Sequence, residues 1–362
     1  MTSRAVCTVQ ICGALDALRL RDALGSVVRQ HESLRTVFSR QAGMRFPFQV
    51  VLDTDEPGWE QLDLRQVSEA EQCSRIEAQL TLEMRRKPDL DRGPLLHATL
   101  ITLQPERSVL LLGVPTLCAD AQSLPIIVRD TLRWYTRQAA SMDEPLRYVQ
   151  FAQWQNELLE SDDVHALEGR AYWHEILSTR TKPVTLPFER AGVPGTLSMA
   201  RTRVRLTERL AQPLAALAAA SGTTVGDVLL VCWHILLARL TGQFEIATGV
   251  VVDGRGYSEL EQAVGAFAKS VPVATRLDAT LTVRELLQQV HGTLQGATEW
   301  QEHFDPTALD GPFHFSYREL GTEERCGDLS WRLQSVHAPI ERGTLCSRQL
   351  KSPQRSSVPS SR

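Results

Sequence analysis

The sequence predicts an α/β or α+β protein of two lobes, on the basis of three observations. Short β-rich or continuously apolar segments alternate with amphipathic helical segments in both halves of the chain. The 362 residues, 43% apolar and 23% charged, can bury a substantial core, and this length favours two lobes. Prolines and glycines cluster at 181–196, which predicts a connector between lobes at 1–180 and 197–336.

The first part of the chain shows one helix and three strands. Apolar residues at helical spacing predict an amphipathic helix from Leu18 to Phe38, although Gly25 weakens its interior. The turn QPER joins the last two strands as a hairpin. The predicted strands are Phe46–Asp53, Leu95–Leu103 and Ser108–Val114.

Helical sequence follows the hairpin. Ser123 is a residue type that caps helices, and Pro125 suits a first helical turn, so a helix is expected from Ser123. The range Tyr148–Leu177 is expected to be mostly helical.

The second half alternates strands and helices again. A helix from Thr207 is expected to end near Gly222 in a left-handed conformation. Thr224 and Asp227 have the spacing of a capping box, which predicts the start of a buried helix through Leu240. Three further elements are predicted: strands at Ser198–Leu206 and Phe244–Val252, and a helix at Thr282–Trp300.

The periodicity ends at His337. The range 337–362 contains five Lys/Arg, one Glu and several serines and prolines, so we expect a disordered tail. A frameshifted end would have the same composition.

Charge and cysteine usage limit the class of protein. A net charge of −4 gives no basic footprint for nucleic acid or an anionic membrane. The seven cysteines show neither CxxC pairs nor metal-ligand spacing, which indicates a reducing compartment and predicts no metal site. No signal peptide or membrane-spanning stretch is recognisable, so a cytoplasmic location is expected.

Several motifs resemble those of nonribosomal peptide synthetase condensation domains, in the order in which that family carries them. RQHESLRTVF (Arg29–Phe38) closely resembles the family motif RHExLRTxF. VGAFAKSVPV (Val264–Val273) resembles IGxFVNTLPL, with Lys269 in place of asparagine. Further matches are KPDLDRGPLLHATL (Lys87–Leu100), YVQFAQWQNELL (Tyr148–Leu159), AYWHEIL (Ala171–Leu177) and TGQFEIATGVVVDGR (Thr241–Arg255).

This resemblance implies a fold related to chloramphenicol acetyltransferase: two lobes, each a mixed sheet flanked by helices, with a tunnel between them. It implies an acyltransferase activity that forms an amide bond between two carrier-bound thioesters. The implied partners are carrier proteins and neighbouring synthetase domains. No cofactor is expected to bind directly, because the phosphopantetheine arms belong to the carriers.

The chain departs from the family at its catalytic motif, HHxxxDG, whose second histidine is associated with catalysis. Here the corresponding positions are Pro115, Thr116, Cys118 within the three variable residues, Asp120 and Ala121. Both histidines are absent. The family's opening motif is also missing, and 197–336 is expected to be only a partial C-terminal lobe.

Three interpretations of Thr116 remain open. It replaces the base in an inactive scaffold, or it positions a substrate that reacts through proximity, or it takes part in new chemistry. A threonine hydroxyl cannot accept a proton at pH 7. Cys118 is the nearby nucleophile, but nothing in the motif would activate it, so a small buried cysteine is expected.

Asp120 has two open interpretations. The resemblance implies that it pairs with an arginine to hold the loop, with Arg255 and Arg276 as candidates; alternatively it caps the following helix. The resemblance also implies a structural network of His31, Glu32 and Arg35. His234 is expected to be a hydrogen-bonded core histidine.

We therefore predict a condensation-like domain, impaired or repurposed by the loss of its histidines. The alternative is a non-catalytic interaction platform that recruits tailoring enzymes or carrier proteins. A stand-alone acyltransferase of the same superfamily is a third option, but it would also require the missing histidine.

Overall fold

The computed structural model describes residues 3–40, 43, 47–53, 56–137, 145–178, 184–187, 206–278, 280–305, 313–321, 323–339 and 344–350. Its strands are β1 (Arg4–Cys12), β2 (Thr36–Ser39), β3 (Phe48–Val51), β4 (Gly58–Asp63), β5 (His97–Gln104), β6 (Arg107–Pro115), β7 (Glu245–Val252), β8 (Lys269–Arg276), β9 (Phe313–Glu319), β10 (Glu324–Cys326), β11 (Leu329–His337) and β12 (Thr344–Leu350). Its helices are α1 (Ala17–Gln30), α2 (Glu69–Arg85), α3 (Ser123–Tyr135), α4 (Tyr148–Glu160), α5 (Val164–Ser178), α6 (Glu208–Ser221), α7 (Val225–Thr241) and α8 (Val283–Glu299).

The larger sheet has six strands in the order β10-β11-β1-β6-β5-β4, antiparallel except for the β4–β5 pair. Alternate apolar residues of β1 and β6 pack against α1 and α3 on one face. On the other face, Val6 and Leu111 pack against Leu80 of α2. This two-sided burial explains why β6 is a continuous apolar run in the sequence.

The smaller sheet has four strands in the order β12-β9-β7-β8. Val250 of β7, Val273 of β8 and Phe315 of β9 point to the face covered by α6, α7 and α8. The side chains that alternate with these three along each strand therefore point to the opposite face of the sheet. The predicted fold class, mixed sheets flanked by helices, is confirmed.

Most predicted elements that fall within the described residues are present. The hairpin β5–β6, the helix α3 with Pro125 in its first turn, and the long helical stretch, which divides into α4 and α5, are confirmed. Gly222 ends α6 with a φ of 64°, and Thr224 and Asp227 form the predicted capping box at the start of α7. The predicted strand at 198–206 and most of the connector lie outside the described residues.

The first helix is shorter than predicted. Asp16 caps α1, which ends at Gln30 instead of continuing to Phe38. His31 takes an extended backbone conformation and its side chain turns inward to bind Asp130. After one short 3-10 turn the chain enters β2, because Thr36 and its β-prone neighbours pair with β3.

The strands β9 to β12 were not predicted, and two of them change the expected organisation of the chain. β11 pairs with β1 along Val6–Cys12, so residues within the range expected for the second lobe complete the sheet of the first. β12 pairs in parallel with β9. Thr344–Leu350 lies within the range expected to be a disordered tail, and its pairing with β9 is not indicated by composition. Residues 351–362 lie outside the described residues.

Among the described residues, no single helix is long and apolar enough to cross a membrane. Within the same described part of the chain, α6 and α7 taken together reach that length and hydropathy, but they are bent by 103° at the break between them.

His234 lies at the centre of α7 and is fully buried. Its two ring nitrogens lie 2.8 Å from the hydroxyls of Thr275 and Thr248. Burial lowers the pKa of His234 to about 3, from an ordinary value of 6.5. The expected hydrogen-bonded core histidine is present, and it is held in the neutral form.

The neutral His234 makes stability depend on pH. Below about pH 6.5 the unfolded chain binds a proton at this residue that the folded chain does not bind. The free energy of unfolding should therefore fall as the pH is lowered from about 6.5 toward 3, by roughly 1.4 kcal/mol per pH unit. Urea unfolding at several pH values measures this slope. His234→Gln keeps hydrogen-bonding groups but cannot titrate, so its slope should be shallower; equal slopes would contradict the assignment.

Candidate functional site

The altered motif lies in the turn between β6 and α3. Pro115 is the last residue of β6 and pairs with Arg4 of β1. The backbone N–H and the hydroxyl of Thr116 both donate to the carbonyl of Ser3, at 2.9 and 3.1 Å. The threonine hydroxyl is therefore engaged with the start of the chain, and it offers no group that binds a proton near neutral pH.

Asp120 is surrounded by hydrogen-bond donors. Its Oδ1 lies 2.8 Å from both the N–H and the hydroxyl of Ser123, and 3.1 Å from a guanidinium nitrogen of Arg255. Its Oδ2 lies 2.8 Å from the other nitrogen of Arg255, and 3.1 and 3.0 Å from the N–H groups of Phe267 and Ala268. Each carboxylate oxygen thus has three donors within reach, so the position of the carboxylate is fixed by its hydrogen bonds.

This cluster joins the two sheets. Arg255 also donates to the carbonyls of Asp253 and Ala263, and its guanidinium lies 4.5 Å above the ring of Phe267. Gly265 donates its N–H to the Ser123 hydroxyl. Asp120 also binds the N–H of Ser123 at the start of α3, so both interpretations made from the sequence, ion pairing and helix capping, describe contacts that are present.

A cavity of about 170 Å³ opens beside this cluster. It lies between the motif turn, the loop before β8, the end of β7, the middle of β9, and the segment after β11. Asp120 is the one ionisable residue among its described lining, and most of the rest are small. The lining is Thr116, Leu117, Asp120, Ala121, Val251, Ala266, Ala268, Ser316, Ala338 and Pro339.

The condensation domain profile matches residues 5–303 of this sequence. The chain belongs to the condensation domain family. Curated relatives include chondramide synthase cmdD of Chondromyces crocatus, 32% identical over 297 residues, and phosphinothricin tripeptide synthetase PhsC of Streptomyces viridochromogenes, 31% identical over 290 residues. These alignments cover 80% and 78% of this chain, but only 7% and 26% of the relatives.

Solved structures share the condensation domain fold. The SgcC5 protein of Streptomyces globisporus superposes with a TM-score of 0.80 at 24% identity, covering 96% of this chain and 84% of SgcC5. The X-domain in the complex of X-domain and OxyB from teicoplanin biosynthesis superposes with a TM-score of 0.68 at 20% identity, covering 98% and 80%. The chain is thus a condensation domain of the nonribosomal peptide synthetase type in sequence and in fold.

The histidines singled out from the sequence do not line the cavity of this condensation domain. His31 is buried and lies 2.9 Å from Asp130 of α3, and His234 is held by two threonines. A third histidine, His314, was missed. It lies two residues before Ser316 on the same face of β9, and its Nδ1 is 2.8 Å from the Ser270 hydroxyl.

The remaining site residues separate into two groups. Glu32 lies 3.8 Å from Arg35 and 3.5 Å from Arg147, while Arg35 also donates to the carbonyl of Leu52. These contacts tie the end of α1 to β3 and to the start of α4. Arg276 lies at the exposed end of β8 opposite Glu245, so it does not share the site with Asp120.

Cys118 is buried, and burial raises the pKa of its thiol to about 12. The fraction of reactive thiolate at neutral pH is therefore very small. We expect iodoacetamide at pH 8 to modify the exposed Cys73 rapidly and Cys118 only after unfolding. Peptide mass mapping measures both positions in the same sample. Rapid modification of Cys118 in the folded protein would contradict the buried structural role.

Two charged residues near the cavity were not identified as site residues from the sequence. Lys269 donates to Gln155 at 2.6 Å and to the carbonyl of Gln301 at 3.1 Å, and burial lowers its pKa to about 8. Arg318 of β9 donates to the side-chain oxygen of Gln122. The sequence shows the Lys269 replacement within its motif, but nothing local in the sequence indicates that β9 brings Arg318 to the motif turn.

Proposed function

We propose that this condensation domain binds carrier-borne acyl thioesters in the cavity beside Thr116, and that its amide-forming activity is impaired or redirected. The observation that carries this proposal is the set of side chains around the cavity. Where the family motif has its second histidine, the chain has a hydroxyl bound to Ser3.

The chemistry of amide formation explains why this replacement matters. An amine nucleophile must lose a proton as it attacks a thioester carbonyl, and a group that titrates near neutrality accelerates that step by roughly 10²–10⁴-fold. Thr116 cannot act in this way. Each oxygen of Asp120 already accepts hydrogen bonds from Arg255, Ser123 or the backbone N–H groups of Phe267 and Ala268, so neither oxygen is free to accept a proton from a substrate amine.

The proposed partners follow from the family. Two carrier proteins would present thioesters on phosphopantetheine arms, and neighbouring synthetase domains would load them. The domain itself would hold no cofactor, and its place would be the cytoplasm. The small residues Ala121, Ala266 and Ala268 leave room for an acyl chain and its thioester.

The test uses the full chain with two loaded carrier domains, and mass spectrometry of the carrier-bound products. We expect the unmodified chain to bind the carriers and to form little amide product. Thr116→Ala should leave the product level unchanged, because the hydroxyl accepts no proton. Thr116→His should raise it if the missing base alone limits the reaction.

Robust product formation by the unmodified chain would overturn the proposal. His314→Gln would then be the informative variant, because His314 lies on the cavity side of β9. Loss of product in that variant, with carrier binding intact, would locate the base there.

The alternative is a non-catalytic platform. It is favoured by the shared fold with the X-domain, which is known in a complex with OxyB. Pull-down and calorimetry with candidate tailoring enzymes, in the presence and absence of a loaded carrier, test this alternative. Stable capture of an enzyme without any turnover of the thioester would favour the platform over a weakened catalyst.

A further inference from the structure

Strand β9 presents an arginine on the face that lines the cavity. Ser316 is part of the cavity wall, and Arg318 follows it by two residues. Since side chains alternate between the two faces of a strand, Arg318 points to the same side as Ser316. Phe315, on the other face, packs against the helices.

The guanidinium of Arg318 reaches the motif turn. It donates to the side-chain oxygen of Gln122, which directly follows the cavity residue Ala121. No acceptor for the amide N–H groups of Gln122 is found among the described residues. Arg318 and Gln122 do not line the cavity themselves, but they carry unused N–H donors and lie within two residues of the lining residues Ser316 and Ala121.

The positive charge of Arg318 is not balanced by an ion pair within the described part of the chain. Asp120 attracts it, but both oxygens of that carboxylate already face the donors of Arg255, Ser123 and the backbone. Partial burial lowers the pKa of Arg318, and the neighbouring Arg255 adds repulsion. Asp253 also attracts the guanidinium, but the hydrogen-bond acceptor of the guanidinium among the described residues is the neutral amide of Gln122. An anion bound directly to Arg318 would therefore be stabilised by a charge that no ion pair in the described chain uses.

We propose that Arg318 and Gln122 form a binding site for an anionic oxygen group of the ligand that occupies the cavity. This proposal rests on the proposed function and deepens it. The planar guanidinium fork matches the two oxygens of a phosphate or a carboxylate. The group is either the phosphate of the carrier arm or a carboxylate on the acyl chain.

Small pantetheine compounds, used as free thiols or as acyl thioesters, distinguish these two sources without carrier proteins. Calorimetry on the full chain would compare phosphopantetheine with pantetheine, and succinyl-pantetheine with butyryl-pantetheine. If the anionic group of a compound contacts Arg318, that compound should bind about tenfold or more tightly than the neutral compound of the same pair. Tighter binding of phosphopantetheine than of pantetheine identifies the phosphate of the carrier arm as the anion. Tighter binding of the succinyl compound than of the butyryl compound identifies a carboxylate on the acyl chain. Either preference supports the site if it is lost in Arg318→Gln.

The variants make the result specific. Arg318→Lys should retain part of the preference, because it keeps the charge but loses the fork. Arg239→Gln is the matched control, since Arg239 is exposed on α7. Far-ultraviolet circular dichroism and the Tm verify that each variant is folded; if Arg318→Gln does not fold, the Lys variant and the salt dependence of the wild-type preference provide the test.

Two results would overturn the inference. Equal affinity of charged and neutral probes, unchanged in Arg318→Gln, would overturn the anion site and leave the proposed function standing. Failure of every probe to bind the unmodified chain would overturn both, because the cavity would then not accept a pantetheine thioester.

Discussion

Asp120→Asn is expected to lower the free energy of unfolding by about 3–5 kcal/mol, because it leaves the charge of Arg255 buried and unpaired. The Arg255 side chain is only 3% exposed and lies 2.8 Å from the carboxylate. The amide that replaces one oxygen would also point N–H groups at existing donors, either those of Arg255 and Ser123 or those of Phe267 and Ala268. Urea unfolding followed by tryptophan fluorescence measures the loss.

Asp253→Asn is the matched control for this variant. Asp253 lies in the same loop as Arg255 and accepts the N–H of that residue, but it is exposed. Its replacement should change stability by less than about 1 kcal/mol. If Asp120→Asn were equally mild, the Asp120–Arg255 pair would not hold the two sheets together, and Asp120 would be available for another role.

Glu83→Gln is expected to have an effect of similar size in the first lobe. Arg4 and Glu83 are both 2% exposed, and their nearest charged atoms are 2.6 Å apart. Arg4 also donates to the carbonyl of Gly113, whose lack of a side chain makes room for the Glu83 carboxylate. Losing the carboxylate leaves the buried guanidinium without its partner and should cost about 3–5 kcal/mol.

A double variant separates the charge from the packing. Arg4→Met combined with Glu83→Met removes both charges. The free energy of unfolding should therefore fall much less than the sum of the losses measured for Arg4→Met alone and Glu83→Met alone. The exposed pair of Arg21 and Glu56 is the surface control, and Glu56→Gln should cost less than about 1 kcal/mol. If the loss in the double variant equalled the sum of the single losses, the attraction between the two charges would make no contribution to stability, and the two side chains would act only through packing.

Local sequence pattern predicts the elements whose stability is local. The β5–β6 hairpin follows from its apolar strands and short turn, and α7 follows from the Thr224 capping box. Helix α2 was not predicted, although Ser68 followed by Glu71 has capping spacing; the Ser68 hydroxyl does accept the N–H of Glu71. Its weak apolar periodicity, not a missing cap, explains the omission.

Local sequence patterns do not predict strands whose formation depends on pairing with residues far away in the sequence. Nothing around β11 shows that it pairs with β1 more than three hundred residues earlier, and the basic tail does not look like a strand at Thr344–Leu350. The same limit applies to the site. Resemblance to the family indicates an arginine partner for Asp120 and leaves Arg255 and Arg276 as candidates, of which the structure shows Arg255 in contact. The contact between Arg318 and Gln122 depends on where β9 lies in the second sheet.

The pairing of β11 with β1 has a practical consequence for anyone who excises this domain. The profile match ends at residue 303, but a truncation there would remove β11 and leave β1, from Val6 to Cys12, as a bare apolar edge. Such an edge recruits other chains and leads to inclusion bodies. Ala338 and Pro339, which wall the cavity, would be lost as well. A cloning boundary placed beyond residue 339 retains both the sheet and the pocket.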